Sequence, residues 1–181
     1  MSKGINRALL SDEYRAVYEH ASAQSKNCVF ISHKSEDMDV AKNVAELLKN
    51  NGIDVYLDSN DSGLQRATRE GDAKKIITCI ERALSISTHI LVLVTEKTKE
   101  SWWVPYEIGF SKKGKKSIAS LLLKTVSGFP DYLEIEKKIY GLNDLKTYTQ
   151  ELRGSSFYYE SASDVYVLKQ IEMNLLNYIR G

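Results

Sequence analysis

Hydrophobic residues along this chain alternate between short continuous runs and stretches of helical spacing. Four runs, rich in β-branched side chains and bounded by polar residues, are typical of strands buried on both faces. They are CVFIS from Cys28, IDVYLD from Ile53, HILVLV from His89 and SIASLLL from Ser117. Because helical patterns lie between the runs, the sequence predicts an α/β fold with a parallel sheet covered on both faces.

Apolar residues at helical spacing predict the helices of the outer layers. Around the first such helix, Ser35 has the position of an N-cap, and Gly52 that of the residue that ends a helix. Further helices are predicted over Ile76 to Leu84 and from Trp102 or Trp103 to Gly114. The apolar side of a final helix consists of Val165, Leu168, Ile171, Leu175 and Ile179.

Three other segments have weaker patterns. A short amphipathic helix is predicted over residues 12–23. Residues 59–72, SNDSGLQRATREGD, have almost nothing to bury and are expected to form a loop. An edge strand is expected around residues 145–148.

Composition and charge restrict the partners of the protein. Twenty-five basic and 24 acidic residues give a formal net charge of +1, so no bulk charge attracts a nucleic acid or an anionic membrane, and neither is expected as a partner. Cys28 and Cys79 form no metal or redox motif and are expected to be small buried side chains in a reducing compartment. With no signal peptide and no run of roughly 18 apolar residues, a cytoplasmic location is expected.

Loops that follow the predicted strands mark the expected ligand site. In open parallel sheets, ligands bind outside the carboxyl ends of the strands. Three loops leave such ends: SHKSED from Ser32, DSNDSGLQR from Asp58 and TEKTKESWW from Thr95. The segment SWWVPYEIGF, residues 101–110, begins within the third loop, so its side chains are expected near the ligand.

SWWVPYEIGF contains one carboxylate among aromatic residues. Because proline is tolerated only in the first turn of a helix, Pro105 places the helix start two or three residues earlier. Helical spacing then puts Glu107 on one face with Trp103 and Tyr106. Trp102, about 100° around the helix, is expected to anchor the helix in the core.

Glu107 has no lysine or arginine three or four residues away. An unpaired carboxylate on a partly buried face costs stability unless something else binds it, which makes Glu107 a functional candidate. The other interpretation is a carboxylate near a helix start, stabilised by the helix dipole and half in water.

A single carboxylate beside aromatic rings suits a cationic leaving group. Glycosidases need two carboxylates because the leaving alkoxide must be protonated. The nicotinamide of NAD⁺ leaves as a neutral molecule and needs no acid. One carboxylate is then sufficient to hold ribose hydroxyls and to stabilise the developing oxocarbenium ion.

Three segments resemble the TIR (Toll/interleukin-1 receptor) domains, in particular the NAD⁺-cleaving prokaryotic branch found in bacterial anti-phage defence. VFISHKSED, residues 29–37, is similar to the first strand and loop, IDVYLD to the second strand, and HILVLVTEKTKESWWVPYEIG to the third strand and the W-x-x-x-E helix. That motif is Trp103 to Glu107 here. The resemblance implies a flavodoxin-like three-layer fold with a central parallel sheet, in a TIR domain of residues 27–181 that follows an N-terminal helical extension of residues 1–26.

The resemblance also implies an activity and a site. NAD⁺ would be the substrate, with no cofactor and no metal ion, and cleavage would give nicotinamide and ADP-ribose, or a cyclic or conjugated ADP-ribose. Glu107 would be the catalytic residue. The substrate-binding residues that it implies are Ser32, His33, Lys34, Ser35, Trp103 and Tyr106, and Asp58 is a further candidate because it ends the second strand.

Several of these residues have a second interpretation. His33 is either a substrate contact or a loop histidine bonded to the backbone, and Lys34 either meets the pyrophosphate or is solvated. Asp58 either bonds a hydroxyl or caps the following turn. Arg66 and Arg69 would contact phosphates or a neighbouring protomer.

Two other functions fit parts of the sequence. One is a non-catalytic TIR scaffold, and the other is an enzyme similar to nucleoside deoxyribosyltransferases. The intact W-x-x-x-E motif favours the NAD⁺-cleaving enzyme, and residues 59–72 lack the proline of adaptor TIR domains. By resemblance the partners are further copies of the chain and a separate sensor or effector protein. The FYYE cluster, residues 157–160, is either an interface or a cover over the core.

Overall fold

The computed structural model describes residues 3–20, 26–153 and 162–181. It contains a five-stranded sheet in the order β2-β1-β3-β4-β5, and all neighbouring strands are parallel. The strands are β1 (Cys28–Ser32), β2 (Asp54–Tyr56), β3 (His89–Val94), β4 (Ser117–Leu122) and β5 (Lys137–Ile139). The predicted parallel sheet is confirmed, and its strand order reverses direction at β1 and β3.

Helices cover both faces of this sheet. Those of the described residues are α1 (Asp12–His20), α2 (Met38–Asn50), α3 (Ser62–Glu70), α4 (Ala73–Ser85), α5 (Glu96–Lys99), α6 (Trp103–Lys113), α7 (Leu142–Arg153) and α8 (Ala162–Leu175). Buried residues of α2, α7 and α8 form one core with one face of the sheet. Buried residues of α3, α4 and α6 form a second core with the opposite face. The three-layer architecture is therefore confirmed.

The continuous apolar runs are explained by this double cover. Every residue of β1 is buried, and in β3 and β4 all residues after the first are buried. Successive side chains of a strand point to opposite faces, so Phe30 enters one core while Val29 and Ile31 enter the other. A strand with one solvated face would instead show alternation.

The predicted loop at residues 59–72 is wrong, because these residues contain α3. The carboxylate of Asp61 accepts hydrogen bonds from the amides of Gly63 and Leu64 and caps the helix. Leu64 and Ala67, three residues apart, are buried, and Gly71 ends the helix with φ 66°. Two apolar residues on one side are enough to dock a helix whose other positions are polar.

The predicted edge strand at residues 145–148 is also wrong. Leu145, Tyr148 and Leu152 are buried residues of α7, and their spacing of three and four is that of a helix. The actual edge strand, β5, buries only Ile139, which leaves no pattern to detect. In α8, the predicted apolar residue Val165 is 44% exposed.

Predicted helix ends agree only in part with the structure. Gly52 follows α2 with φ 79°, as expected. Ser35 begins a short 3-10 turn instead of capping α2. Residues 21–23 of the predicted N-terminal helix and the FYYE cluster lie outside the described residues. In the part of the chain that is described, no helix is long and apolar enough to cross a membrane.

The first described residues are tied to β2 by a buried ion pair. Arg7 is 1% exposed, and its Nε and Nη2 donate to Oδ2 of Asp54 at 3.1 and 3.0 Å. The same guanidinium donates to the carbonyl oxygens of Ile86 and Lys26, and Asn6 forms an isolated parallel bridge with Val55. The division between residues 1–26 and 27–181 stays a prediction, and residues 5–8 pack on the β2 side of the sheet.

Replacement of Arg7 by methionine is expected to destabilise the protein by about 3 kcal/mol or more, because it leaves a buried carboxylate short of its partner. The matched control is Lys26→Met, since Lys26 contacts the same carboxylate at 3.1 Å but is 40% exposed. It should cost less than about 1 kcal/mol. Urea unfolding midpoints of the two variants provide the measurement, and equal midpoints would contradict the assigned role of Arg7.

Candidate active site

A cleft of about 270 Å³ opens at the carboxyl ends of β1 and β2, against the start of α6. This is the edge at which the sequence predicted a ligand. The polar side of the cleft is formed by His33, Lys34, Ser35, Asp58 and Glu107. The remaining lining residues are Leu64, Gln65, Thr68, Ile76, Ile80, Ser101, Trp103 and Val104.

Glu107 is the deepest carboxylate of this cleft. It is 7% exposed, and Ser32, the last residue of β1, donates its hydroxyl to Oε2 at 2.5 Å. Ser32 is itself 1% exposed and does not line the cleft. No ion pair to Glu107 occurs within the described part of the chain. A single neutral donor therefore holds a buried carboxyl group.

This environment changes the acidity of Glu107. The pKa of its carboxyl group is raised to about 8: burial is the largest cause, the hydrogen bond from Ser32 acts against it, and the nearby charge of Asp58 adds to it. Glu107 is therefore mostly protonated at neutral pH. A bound cation would favour the ionised form.

Helix α6 orients the site differently from the prediction in one respect. Its buried residues are Val104, Glu107, Ile108 and Ser111, a stripe displaced by one residue from the predicted aromatic face. Trp102 lies 200° from Val104 at 100° per residue and is 92% exposed, so its predicted place in the core is wrong. Trp103 is 39% exposed and stands at the wall of the cleft.

Tyr106 lies about one turn after Trp103 on α6. Its ring meets Trp103 edge to face, with centroids 6.3 Å apart, and its hydroxyl donates to Oε1 of Glu81 at 2.5 Å. The residues that line the cleft do not include Tyr106. Its predicted contact with substrate stays a prediction, and its observed contact is with the ring that does line the cleft.

His33 is bonded to the backbone, and it also lies at the cleft, where its predicted contact with substrate stays a prediction. Its Nδ1 lies 3.0 Å from the carbonyl oxygen of Ile31, and its Nε2 lies 3.6 Å from Oδ1 of Asp58. The side chain is 2% exposed, yet the residue contributes to the cleft. Burial raises the pKa of the Asp58 carboxyl group, and His33 lowers it.

A bond between two loops fixes the polar side of the cleft. The hydroxyl of Thr95, after β3, donates to Oδ2 of Asp37 at 3.0 Å. The hydroxyl of Thr98 donates to the carbonyl oxygen of Leu93, and Thr95 and Thr98 form a capping box at α5. The loop that carries Lys34 and Ser35 is thus joined to the loop that leads to α6.

The sequence predicted neither the helix α3 nor the contribution of α4 to the cleft. Leu64, Gln65 and Thr68 were assigned to a loop, and Ile76 and Ile80 only to a helix of the core. Asp61 followed by residues of helical spacing was the available signal. Arg66 and Arg69 are exposed on α3 and lie outside the cleft lining. Across the described ranges, no group of histidine, cysteine and acidic residues has the arrangement of a metal site.

Comparisons with known proteins identify the family. The family model of the TIR domain matches residues 29–152, which confirms the resemblance found in the sequence. A relative from Cytobacillus dafuensis, named "Putative cyclic ADP-D-ribose synthase TIR2", is 26% identical over 91 residues. The match covers 50% of this chain and 24% of that protein, so the chain spans about a quarter of the length of the relative.

Replacement of Glu107 by glutamine is expected to stabilise the protein in a pH-dependent way. The unfolded carboxyl group ionises above about pH 4.5, whereas the folded one holds its proton up to about pH 8. Ionisation of the unfolded state therefore lowers the stability of the parent protein as the pH rises between these values. Each tenfold difference in proton affinity between the two states corresponds to about 1.4 kcal/mol.

Thermal unfolding at pH 5 and pH 8 measures this effect. The gain of Glu107→Gln over the parent should be small at pH 5 and should reach several degrees at pH 8. Glu100→Gln, a change of an exposed carboxylate, is the control and should show no such trend. An equal gain at both pH values, or a loss at both, would contradict the burial effect.

Proposed function

The chain belongs to the TIR domain family, and on this premise we propose that it cleaves the bond between nicotinamide and ribose in NAD⁺. The products would be nicotinamide and ADP-ribose, or a cyclic or conjugated ADP-ribose. The observation that carries the proposal is the carboxyl group of Glu107, which is buried in the cleft with one hydroxyl donor and no ion-pair partner in the described residues. A buried, unpaired acid is costly for stability and suits a site that receives a cation.

The reaction requires an ionised Glu107. A positively charged nicotinamide ribosyl group that enters the cleft favours the carboxylate over the acid and supplies the missing counter-charge. As the bond from C1′ to nicotinamide breaks, its electron pair stays on the nicotinamide nitrogen. The Glu107 carboxylate stabilises the positive charge that develops on C1′ and the ring oxygen.

Neighbouring residues support this step. Ser32 is a positioning residue, because its hydroxyl holds Oε2 and its own place is fixed at the end of β1. Trp103 shields the reacting atoms from water on one side of the cleft. Lys34 and Ser35, which also line the cleft, supply a positive charge and a hydroxyl for the pyrophosphate.

The relative supports the proposal through its name, which describes a synthase of cyclic ADP-D-ribose. Identity is low and the match is partial, so the product formed by this chain is part of the proposal. We also propose that the chain acts in the cytoplasm in defence against phage, with a separate sensor or effector protein. Assembly through contacts between TIR domains would bury Trp102, which is 92% exposed beside the cleft.

Replacement of Glu107 by glutamine should abolish the release of nicotinamide from NAD⁺. We expect a loss of at least about 100-fold in rate, because glutamine has no negative charge to stabilise the oxocarbenium ion. Glu100→Gln serves as the control and should match the parent. The assay follows nicotinamide by liquid chromatography with the protein at high concentration, where assembly is favoured. If Glu107→Gln turned over NAD⁺ as fast as the parent, the assignment would fail.

The pH dependence of kcat/KM should follow ionisation of Glu107 in the free protein. Since its pKa is raised to about 8, kcat/KM should rise with pH, by up to about tenfold per pH unit on the acidic side, and level off above that value. Initial rates of nicotinamide release at low NAD⁺ concentration, across the range from mildly acidic to mildly alkaline pH, provide the test. A flat profile, or one that falls over this range, would argue against the ionised form as the active one.

A further inference from the structure

The cleft contains a second carboxylate, which bond cleavage does not need. Asp58 lines the same cleft as Glu107, and the two are close enough that the charge of Asp58 raises the pKa of Glu107. Nicotinamide leaves as a neutral molecule, so cleavage needs no general acid. The carboxylate of Glu107 is sufficient to stabilise the developing positive charge. A backbone hydrogen bond from Ser59 lowers the pKa of Asp58 at the start of the following turn, but this contact does not explain why the carboxyl group also lines the cleft.

His33 is built into the fold as a support for Asp58. The carbonyl oxygen of Ile31 can only accept a hydrogen bond, so Nδ1 of His33, 3.0 Å away, carries a hydrogen atom. This contact fixes the ring and directs Nε2 towards Oδ1 of Asp58, 3.6 Å away. The interaction with His33 lowers the pKa of the Asp58 carboxyl group and so favours its carboxylate form.

The two side chains differ in their access to the cleft. The side chain of His33 is 2% exposed, whereas that of Asp58 is 32% exposed. Asp58 is thus the member of the pair that a bound molecule can reach, and His33 lies behind it. This is the arrangement of a proton-accepting carboxylate with an orienting imidazole.

In the second half of the reaction a nucleophile bonds to C1′. Only some nucleophiles need a proton acceptor for this step. Water or a ribose hydroxyl loses its proton as the oxygen bonds to C1′. A ring nitrogen with a free lone pair, such as that of nicotinamide, bonds to C1′ without losing a proton. The proton on the attacking oxygen becomes strongly acidic during bond formation, so a carboxylate is basic enough to accept it.

We propose that Asp58, positioned by His33, accepts the proton of an oxygen nucleophile and so directs the reaction to products with a new bond between C1′ and oxygen. The inference rests on the proposed function and specifies its second step. The oxygen lone pair forms the bond to C1′, and the proton passes to Asp58 and then to solvent. The nucleophile is water or a hydroxyl group of the same or another substrate molecule.

Asp58 takes part in the second half of the reaction, capture of C1′ by oxygen, and not in cleavage of the bond to nicotinamide. Because the charge of Asp58 raises the pKa of Glu107, removal of that charge leaves Glu107 at least as ready to ionise. Bond cleavage should therefore survive in Asp58→Asn, while capture by oxygen should slow. The intermediate would then more often be recaptured by nicotinamide.

The experiment measures two rates in one mixture of NAD⁺ and isotopically labelled nicotinamide. Entry of label into NAD⁺ reports cleavage followed by recapture. The sum of the products that have a new bond between C1′ and oxygen, identified by mass spectrometry and NMR, reports capture by oxygen. In Asp58→Asn, label exchange should stay within about threefold of the parent while product formation falls by at least about tenfold. Asp39→Asn, a change of an exposed carboxylate on α2, should leave both rates unchanged.

Two variants of His33 test its positioning role. Asparagine can replace the Nδ1 donor to Ile31 but has no atom at the place of Nε2, whereas glutamine can place an amide donor near Asp58. The ratio of exchange to product formation should rise in His33→Asn and return towards the parent value in His33→Gln. If His33 had a purely structural role, the two variants would have the same ratio of exchange to product formation.

Several outcomes would overturn the inference. A parallel loss of exchange and product formation in Asp58→Asn would show that Asp58 binds a substrate hydroxyl or serves cleavage. An unchanged ratio with both rates intact would show that no proton acceptor is needed there. Absence of exchange and of nicotinamide release in the parent protein would overturn the proposed function itself, and this inference with it.

Discussion

The free-energy cost of burying the side chain of Glu107 determines how the structure is arranged at the carboxyl ends of the strands. Glu107 is buried by its position on the inner stripe of α6, and Pro105 fixes where that helix begins. The only direct polar contact described for its carboxyl group is Ser32, at the end of β1. The bond between Thr95 and Asp37 then holds the adjoining loops in register, so the surroundings of the carboxyl group are fixed before any ligand arrives.

A second buried carboxylate shows what full compensation requires. Asp54 is 2% exposed, and it is contacted by Arg7, by Lys26 and by the amide of Ile5. These contacts make ionisation inside the protein acceptable. Glu107 is about as deeply buried and has one neutral donor, so it avoids the cost by holding a proton. The contrast separates a carboxylate that serves the fold from one that is available to a substrate.

Continuous apolar runs made most of the sheet predictable from sequence, because strands covered on both faces tolerate few polar residues. Pro105 likewise located α6 and brought Glu107 to the strand ends. Helix α3 was not predicted because only two of its residues, Leu64 and Ala67, are buried. Strand β5 was not predicted because it buries a single residue. Pairing of His33 with Asp58 depends on the adjacency of β1 and β2, which no local pattern reports.

The exposure of Trp102 has a practical consequence. The sequence contains two tryptophans, and both stand at the start of α6, one at the wall of the cleft and the other 92% exposed. All indole fluorescence of the protein therefore originates beside the candidate site. Intrinsic emission reports, without any attached dye, on solvent access at the mouth of the cleft, and it would shift to shorter wavelengths if another molecule covered Trp102.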